Sequence, residues 1–345
     1  MERLHAYIAG MVSDWKAVVA STARMDEIID RRRDNLLGSS YTDRRSVNAS
    51  IVVAVDGFRS LENGTLYPYG SRIGLDSRVS LANNTEDLAV LAVNHFAGQP
   101  PDPRRSFEAL VVLDMAIALA ILEKIDPFRR VNSDLQSFVE LLFRDIFSSS
   151  ANDYLLEYQL EKGVIENRRL TLSCRDFGEA KIYFEDRPKG RFHTVLKMIK
   201  YYLEKGNDFF VDFYDRRAIR ITVVSGDFLE AAYRLEHVLR QYGAVVQDKR
   251  QIGNFSSGPS VSNVLKLKIL WSSKAYEIQL SSWEDYLDMN VRPGDNNHLV
   301  YEANRLNSFL PIRYPTELYK INWDDEEALA DLRNYALLRA AIRRY

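Results

Sequence analysis

Apolar positions follow a helical period over the first part of the chain and a mixture of strand and helix periods beyond residue 168. Residues 1–37 carry apolar side chains at helical spacing and predict a helix that stops at Gly38-Ser39-Ser40. The run 47–57, VNASIVVAVDG, is nearly all apolar and predicts a buried strand. Asn63-Gly64 through Leu81, with YPYGSRIGLDSRVS, predicts a β-rich surface loop. Asn94-His95 closes a helical stretch with no carboxylate nearby, so His95 reads as a helix-end residue. Gly98 to Pro103 is a break. A helix is predicted from Ser106 to Lys124, ended by Asp126-Pro127. A second runs from Asn132 to Ile146 with Ser133 as cap, and a third over 152–162 follows the candidate linker Ser148-Ser149-Ser150.

From Arg168 the pattern predicts strands at 170–174, 179–184, 219–224, 244–248, 264–271 and 274–280. Helices are predicted at 192–204, at 227–242 and from Trp283. Together these give an α+β fold: a mixed, mainly antiparallel sheet flanked by helices, with a largely helical N-terminal domain. The expected division is 1–150 (helical, role unknown), 151–310 (the sheet domain) and 311–345 (a C-terminal helical extension). The last segment, from Trp323, has an acidic start and a basic end, which suits the helix macrodipole. Its stripe of Leu329, Leu332, Ala336 and Leu337 packs on its own chain or forms a homo-oligomer contact.

Composition narrows the function classes. The net charge of −2 over 345 residues gives no global basic field for nucleic acid or anionic membrane. Cys174 is the single cysteine, which excludes an intrachain disulfide framework and a cysteine-rich zinc site. The N-terminal stretch lacks a long apolar run, and the apolar run 109–122 is interrupted by Asp114 and too short to span a bilayer. The expectation is a cytoplasmic protein with no membrane association.

Candidate chemistry concentrates between Lys181 and Arg220. A basic turn, Arg187-Pro188-Lys189-Gly190-Arg191, leads into a helix with Lys197 and Lys200, then an aromatic stretch ending in Asp215-Arg216-Arg217. From Arg187 to Arg220 there are nine Lys or Arg against four Asp or Glu. On their own the residues read as a solvated basic helix beside a strand-end ion pair; basic groups around a lone carboxylate are also how a site for a metal-bound polyphosphate is built. Elsewhere, Arg31-Arg32-Arg33 reads as a solvated helix end, with phosphate contact as the alternative. His193 stands where it can meet a phosphate or simply start a helix. The run Phe209 to Tyr214 reads as core.

These residues resemble the synthetase domain of RelA/SpoT-type proteins, especially the small alarmone synthetases. The matching segments are Asp186-Arg187-Pro188-Lys189 followed by Lys197-Met198, Asp215 with Arg220-Ile221, Glu277-Ile278-Gln279-Leu280, and His298 with Tyr301. They cover about residues 168–305. The resemblance implies a nucleotidyltransferase-like fold and transfer of the β,γ-diphosphate of ATP to a 3′-hydroxyl of GDP, GTP, another nucleotide or RNA. It implies that Arg187, Lys189, Lys197 and Arg220 neutralise ATP phosphates, and that Asp215 and Glu277 hold Mg²⁺, with Glu277 alternatively a proton acceptor. The acceptor side departs from the family: Pro259 stands where a stacking Tyr is expected and Ser281 where an Arg is. In a second alignment Phe255 stacks on the base and Ser257 takes the loop Ser position, with Gln279 and His298 completing the acceptor side. The donor half is kept and the acceptor half rebuilt, which leaves open an active synthetase and an inactive nucleotide-sensing or interaction module.

Overall fold

The computed structural model describes residues 2–21, 24–38, 43–93, 102–145, 173–177, 180–206, 216–248, 264–292 and 297–342. In chain order the elements are α1 (Glu2–Ala20), α2 (Met25–Gly38), α3 (Arg44–Asn63), α4 (Gly70–Ile73), α5 (Ser77–Leu81), α6 (Thr85–Ala92), α7 (Pro103–Ile125) and α8 (Phe128–Asp145). Then come β1 (Ser173–Phe177), β2 (Ala180–Pro188), α9 (Arg191–Lys205), β3 (Arg217–Ser225), α10 (Phe228–Gln241), β4 (Val245–Asp248), β5 (Val264–Trp271) and β6 (Lys274–Ser282). The series closes with α11 (Trp283–Asn290), α12 (His298–Arg305), α13 (Leu310–Arg313), α14 (Thr316–Tyr319) and α15 (Glu326–Ile342). The fold is α+β. Among the described residues no helix is long and apolar enough to cross a membrane.

The chain forms two compact units, each assembled from separated stretches. The first comprises Met1–Pro127, Arg191–Val211 and Tyr301–Ala336, and the second Phe128–Gly190, Asp212–Val300 and Leu337–Tyr345.

In the first unit α7 is buried from Ser106 to Leu122, with α1, α3, α6 and α9 packed on it. The stretch read as a strand at 47–57 is helical. Val47, Ile51, Ala54, Phe58 and Leu61 are buried at spacings of three and four, which is one face of a helix. Asp43 caps that helix, its carboxylate accepting from Ser46 N at 2.8 Å. Burial along the whole face lets β-branched residues sit in a helix despite their strand preference. Gly57 meets the ring of Phe192 on α9; a Cβ there would lie 2.3 Å from ring carbons, so the close approach needs glycine.

The expected β-rich loop at 63–81 is made instead of short helical turns, a 3-10 turn at Tyr67–Tyr69 followed by α4 and α5. Asp76 within it caps α5: it accepts from Arg78 N at 2.8 Å and from Arg105 Nε at 3.2 Å. The single helix expected over 1–37 is two, α1 and α2. Arg32 is no solvated helix end. It is 4% exposed and its guanidinium binds Asp114 at 2.5 Å and Asp14 at 2.7 Å.

The second unit is built on a six-stranded sheet in the order β1-β2-β3-β6-β5-β4. Every pairing is antiparallel except β3 with β6, which is parallel. One face buries Ile219, Ile221, Ile278 and Leu280 against a core that includes Phe138 of α8 and Leu235 of α10. Each such side chain contributes about 1.5–3 kcal/mol by leaving water. β5 and β6 join through Ser272 and Ser273, both at positive φ (50° and 60°), a turn whose twist matches that of the strands. β5 runs over the residues the alternation predicts. α8 begins at Phe128, so Ser133 lies inside it rather than capping it. The helix expected at 152–162 lies outside the described residues.

α8 is fastened to the sheet by Asp134, which is 8% exposed. Its carboxylate takes Arg217 Nε and Nη2 at 3.1 and 2.9 Å and Lys274 Nζ at 2.6 Å. Burial first, and Asp134 second, push the nearby Tyr276 hydroxyl up to about 12.

Candidate functional site

Strand alternation sorts the second unit's sheet into two faces. On β3, Ile219, Ile221 and Val223 enter the core, which sends Ala218, Arg220 and Thr222 to the other face. On β6, Tyr276, Ile278 and Leu280 enter the core, which sends Glu277, Gln279 and Ser281 to that same face. The register pairs Glu185 of β2 with Arg220, Arg220 with Gln279, and Gln279 with Lys266 of β5. The next row pairs Arg187 with Ala218, Ala218 with Glu277, and Glu277 with Lys268. A polar row of mixed charge therefore crosses four strands. It exists because β3 and β6 run parallel, bringing together residues about sixty positions apart in sequence.

Arg220 is the centre of this face and is 4% exposed. Its Nη1 donates to Asn290 Oδ1 on α11 at 3.1 Å and lies 3.5 Å from Glu185 Oε2. The guanidinium stands 5.9 Å from the ring centroid of Tyr286. Asn290 Nδ2 donates to Tyr286 O at 2.8 Å, which fixes the amide so that its oxygen faces the arginine. α11 is in turn started by Ser282, whose hydroxyl accepts from Asp285 N at 3.1 Å. Glu277 and Gln279 are half-buried, and Gln279 Nε2 donates to Glu277 Oε1 at 2.7 Å. Beyond them Thr222 and Ser281 share a hydrogen bond of 3.3 Å, so the face continues with small neutral hydroxyls where the resembled family has an arginine.

The other anticipated residues fall as follows. Arg187 occupies β2 opposite Ala218, its side chain lying outside what is described. Lys189 is half-buried just past β2, its backbone N–H donating to Arg216 O at 3.3 Å. Lys197 belongs to α9 of the first unit, with its ammonium 5.5 Å from the Tyr201 ring centroid. His193 is exposed near the start of the same helix. His298 is the first residue of α12, its side chain again outside the description. Asp215, Phe255, Ser257, His95 and the run Phe209–Tyr214 lie outside the described residues. Sequence reading did not single out Glu185, Tyr286 or Asn290. The signal for the first was its place two residues ahead of Arg187 on the same strand face; for the pair it was their i, i+4 spacing on a helix that begins where β6 ends.

Chemically, a guanidinium with a carboxylate and an amide around it can exchange one of them for another anion, and carboxylates on the same face offer hard oxygen donors of the kind Mg²⁺ takes. Among the described residues no cluster of three or more His, Cys, Asp or Glu is arranged to hold a metal. Compared with protein-family models, with curated proteins and with solved structures, the chain matches none.

Proposed function

We propose that the second unit is a nucleotidyltransferase-like nucleotide site of RelA/SpoT type, working as an ATP pyrophosphokinase. It transfers the β,γ-diphosphate of ATP to a 3′-hydroxyl of a guanine or other nucleotide, or of RNA, and releases AMP. The observation that carries this reading is the parallel pairing of β3 with β6, which aligns Arg220 with Gln279 and sets Glu277 on the same sheet face. Arg220 is the phosphate-binding cation of that face, and a guanidinium suits the charge that spreads over a transferring phosphoryl group. Glu277, with Asp215, would hold Mg²⁺, which supplies charge neutralisation to the phosphates. Gln279 orients Glu277 through its amide hydrogen bond. The test is AMP release from Mg·ATP with a panel of nucleotide and RNA acceptors. Glu277→Gln is expected to lower turnover at least about a hundredfold, and turnover unchanged in that variant sinks the assignment.

A second reading, an inactive module that senses nucleotide or binds a protein without turnover, is favoured by the altered acceptor side, where Pro259 and Ser281 stand. Saturable Mg·ATP binding without AMP release under every acceptor would select it.

A further inference from the structure

Glu185 and Asn290 hold Arg220 in different ways. Asn290 makes a hydrogen bond of 3.1 Å and is itself held by Tyr286 O at 2.8 Å. Glu185 approaches only to 3.5 Å, beyond the usual range for an N–H···O bond. Its Oε2 is buried and has no hydrogen-bond partner among the described residues. A carboxylate oxygen withdrawn from water without a donor leans on its one near cation, so another anion that takes Arg220 must overcome the cost of leaving Oε2 uncompensated, and that cost weakens the ligand's binding. Asn290 carries no charge and holds the guanidinium whichever anion sits beside it.

We propose that Glu185 sets the affinity of this face for polyphosphate, by competing with the ligand's phosphate oxygens for the Arg220 guanidinium while Asn290 keeps that guanidinium in place. This rests on the reading of the face as a nucleotide site. Carboxylate and phosphate oxygens take the same planar fork of N–H donors, so the two are exchangeable partners. Glu185 is thus an affinity-determining residue, tuned by a contact that is close enough to compete and too long to hold. No bond is made or broken in the exchange; only the partner of one guanidinium changes.

The test is calorimetric titration of the full chain with Mg·ATP, and with tripolyphosphate as the base-free probe. Glu185→Gln is expected to bind both about tenfold more tightly than the unaltered chain, since a charged competitor is removed. Glu185→Asp, which keeps the charge but withdraws it by one methylene, is expected to fall between the two. In an Arg220→Gln background the gain from Glu185→Gln should vanish. A gain that persists there means a general effect of removing negative charge and overturns the proposal. So does Glu185→Gln binding no tighter than the unaltered chain; if that chain still binds Mg·ATP and loses it with Arg220→Gln, the nucleotide reading survives. If neither the unaltered chain nor any Glu185 variant binds Mg·ATP or tripolyphosphate, both fall together.

Discussion

Two carboxylates, one buried in the first unit and one half-buried in the second, show opposite states of a polar group. Asp114, in the middle of the first unit's central helix, is 0% exposed and accepts from Tyr7 Oη at 2.7 Å, Trp15 Nε1 at 2.9 Å and Arg32 Nε at 2.5 Å. Burial works against the Arg32 charge, yet Asp114 overcomes it and holds the guanidinium above its ordinary pKa. Glu185, on the second unit's sheet, has one cation at 3.5 Å and a buried oxygen with no hydrogen bond among the described residues. The first carboxylate is saturated, and its lattice of donors fixes how three helices meet. The second is undersatisfied, which is the condition the proposed exchange with phosphate draws on. The lesson is that depth of burial and completeness of hydrogen bonding go together here: the fully buried carboxylate is the fully satisfied one.

The sharpest way to break this comparison is Asp114→Ala. It leaves a phenol and an indole N–H without their acceptor and the buried Arg32 guanidinium with Asp14 alone, and is expected to cost about 3–5 kcal/mol in urea unfolding. A loss below about 1 kcal/mol would show that saturation is not what stabilises the first unit. Asp134→Ala is next, because it tests whether saturation matters in the second unit too. Arg217 would stay buried while Lys274, with a side chain 41% exposed, turns to water. The expected cost is about 2–3 kcal/mol, measured the same way.

The smallest effect concerns Glu62, which lies between these extremes. It accepts from Leu75 N at 3.2 Å and from Tyr314 Oη at 3.3 Å, with Arg313 Nη2 at 3.9 Å. Burial raises its carboxyl above the usual range despite the pull of Arg313. A raised folded pKa means that the folded chain keeps a proton which the unfolded chain has released. Stability therefore falls as pH rises from the ordinary carboxylate value of 4.5 through the folded value. Thermal melts across this window should show that slope, and Glu62→Gln should flatten it.

Much of the second unit was legible because its residues alternate cleanly. Val264–Trp271 and Lys274–Ser282 sit on either side of a two-serine turn, and the core-facing set is plain in the letters. Helix α7 was legible from its length, but Asp114 read as an interruption of an apolar run when it is the hub of a buried network. Arg32 read as one of three surface arginines, since nothing local distinguishes it from Arg31 and Arg33. The run at 47–57 misled because a buried helix and a buried strand share a composition of β-branched residues, and the Asp43 cap was the missed arbiter. The candidate face was half legible. The positions of Arg220, Glu277 and Gln279 on strands follow from alternation. Their convergence depends on a parallel pairing, and the cover supplied by Tyr286 and Asn290 depends on how α11 packs, neither of which a linear pattern encodes.

The interleaving of the two units has a consequence for the order in which they are completed during synthesis. The first unit draws its closing side chains from beyond residue 300: Tyr314 reaches Glu62, Tyr319 reaches Glu108 at 2.9 Å, and Ala328 O accepts from Tyr69 Oη at 2.7 Å. All of the sheet's strands precede those residues in the chain. On a ribosome, then, the helices made first wait for residues near the other end of the chain. Glu62 and Glu108 lack those partners while the whole sheet emerges, and because the second unit also takes α11 and Leu337–Tyr345, a truncation after β6 would leave both units unfinished.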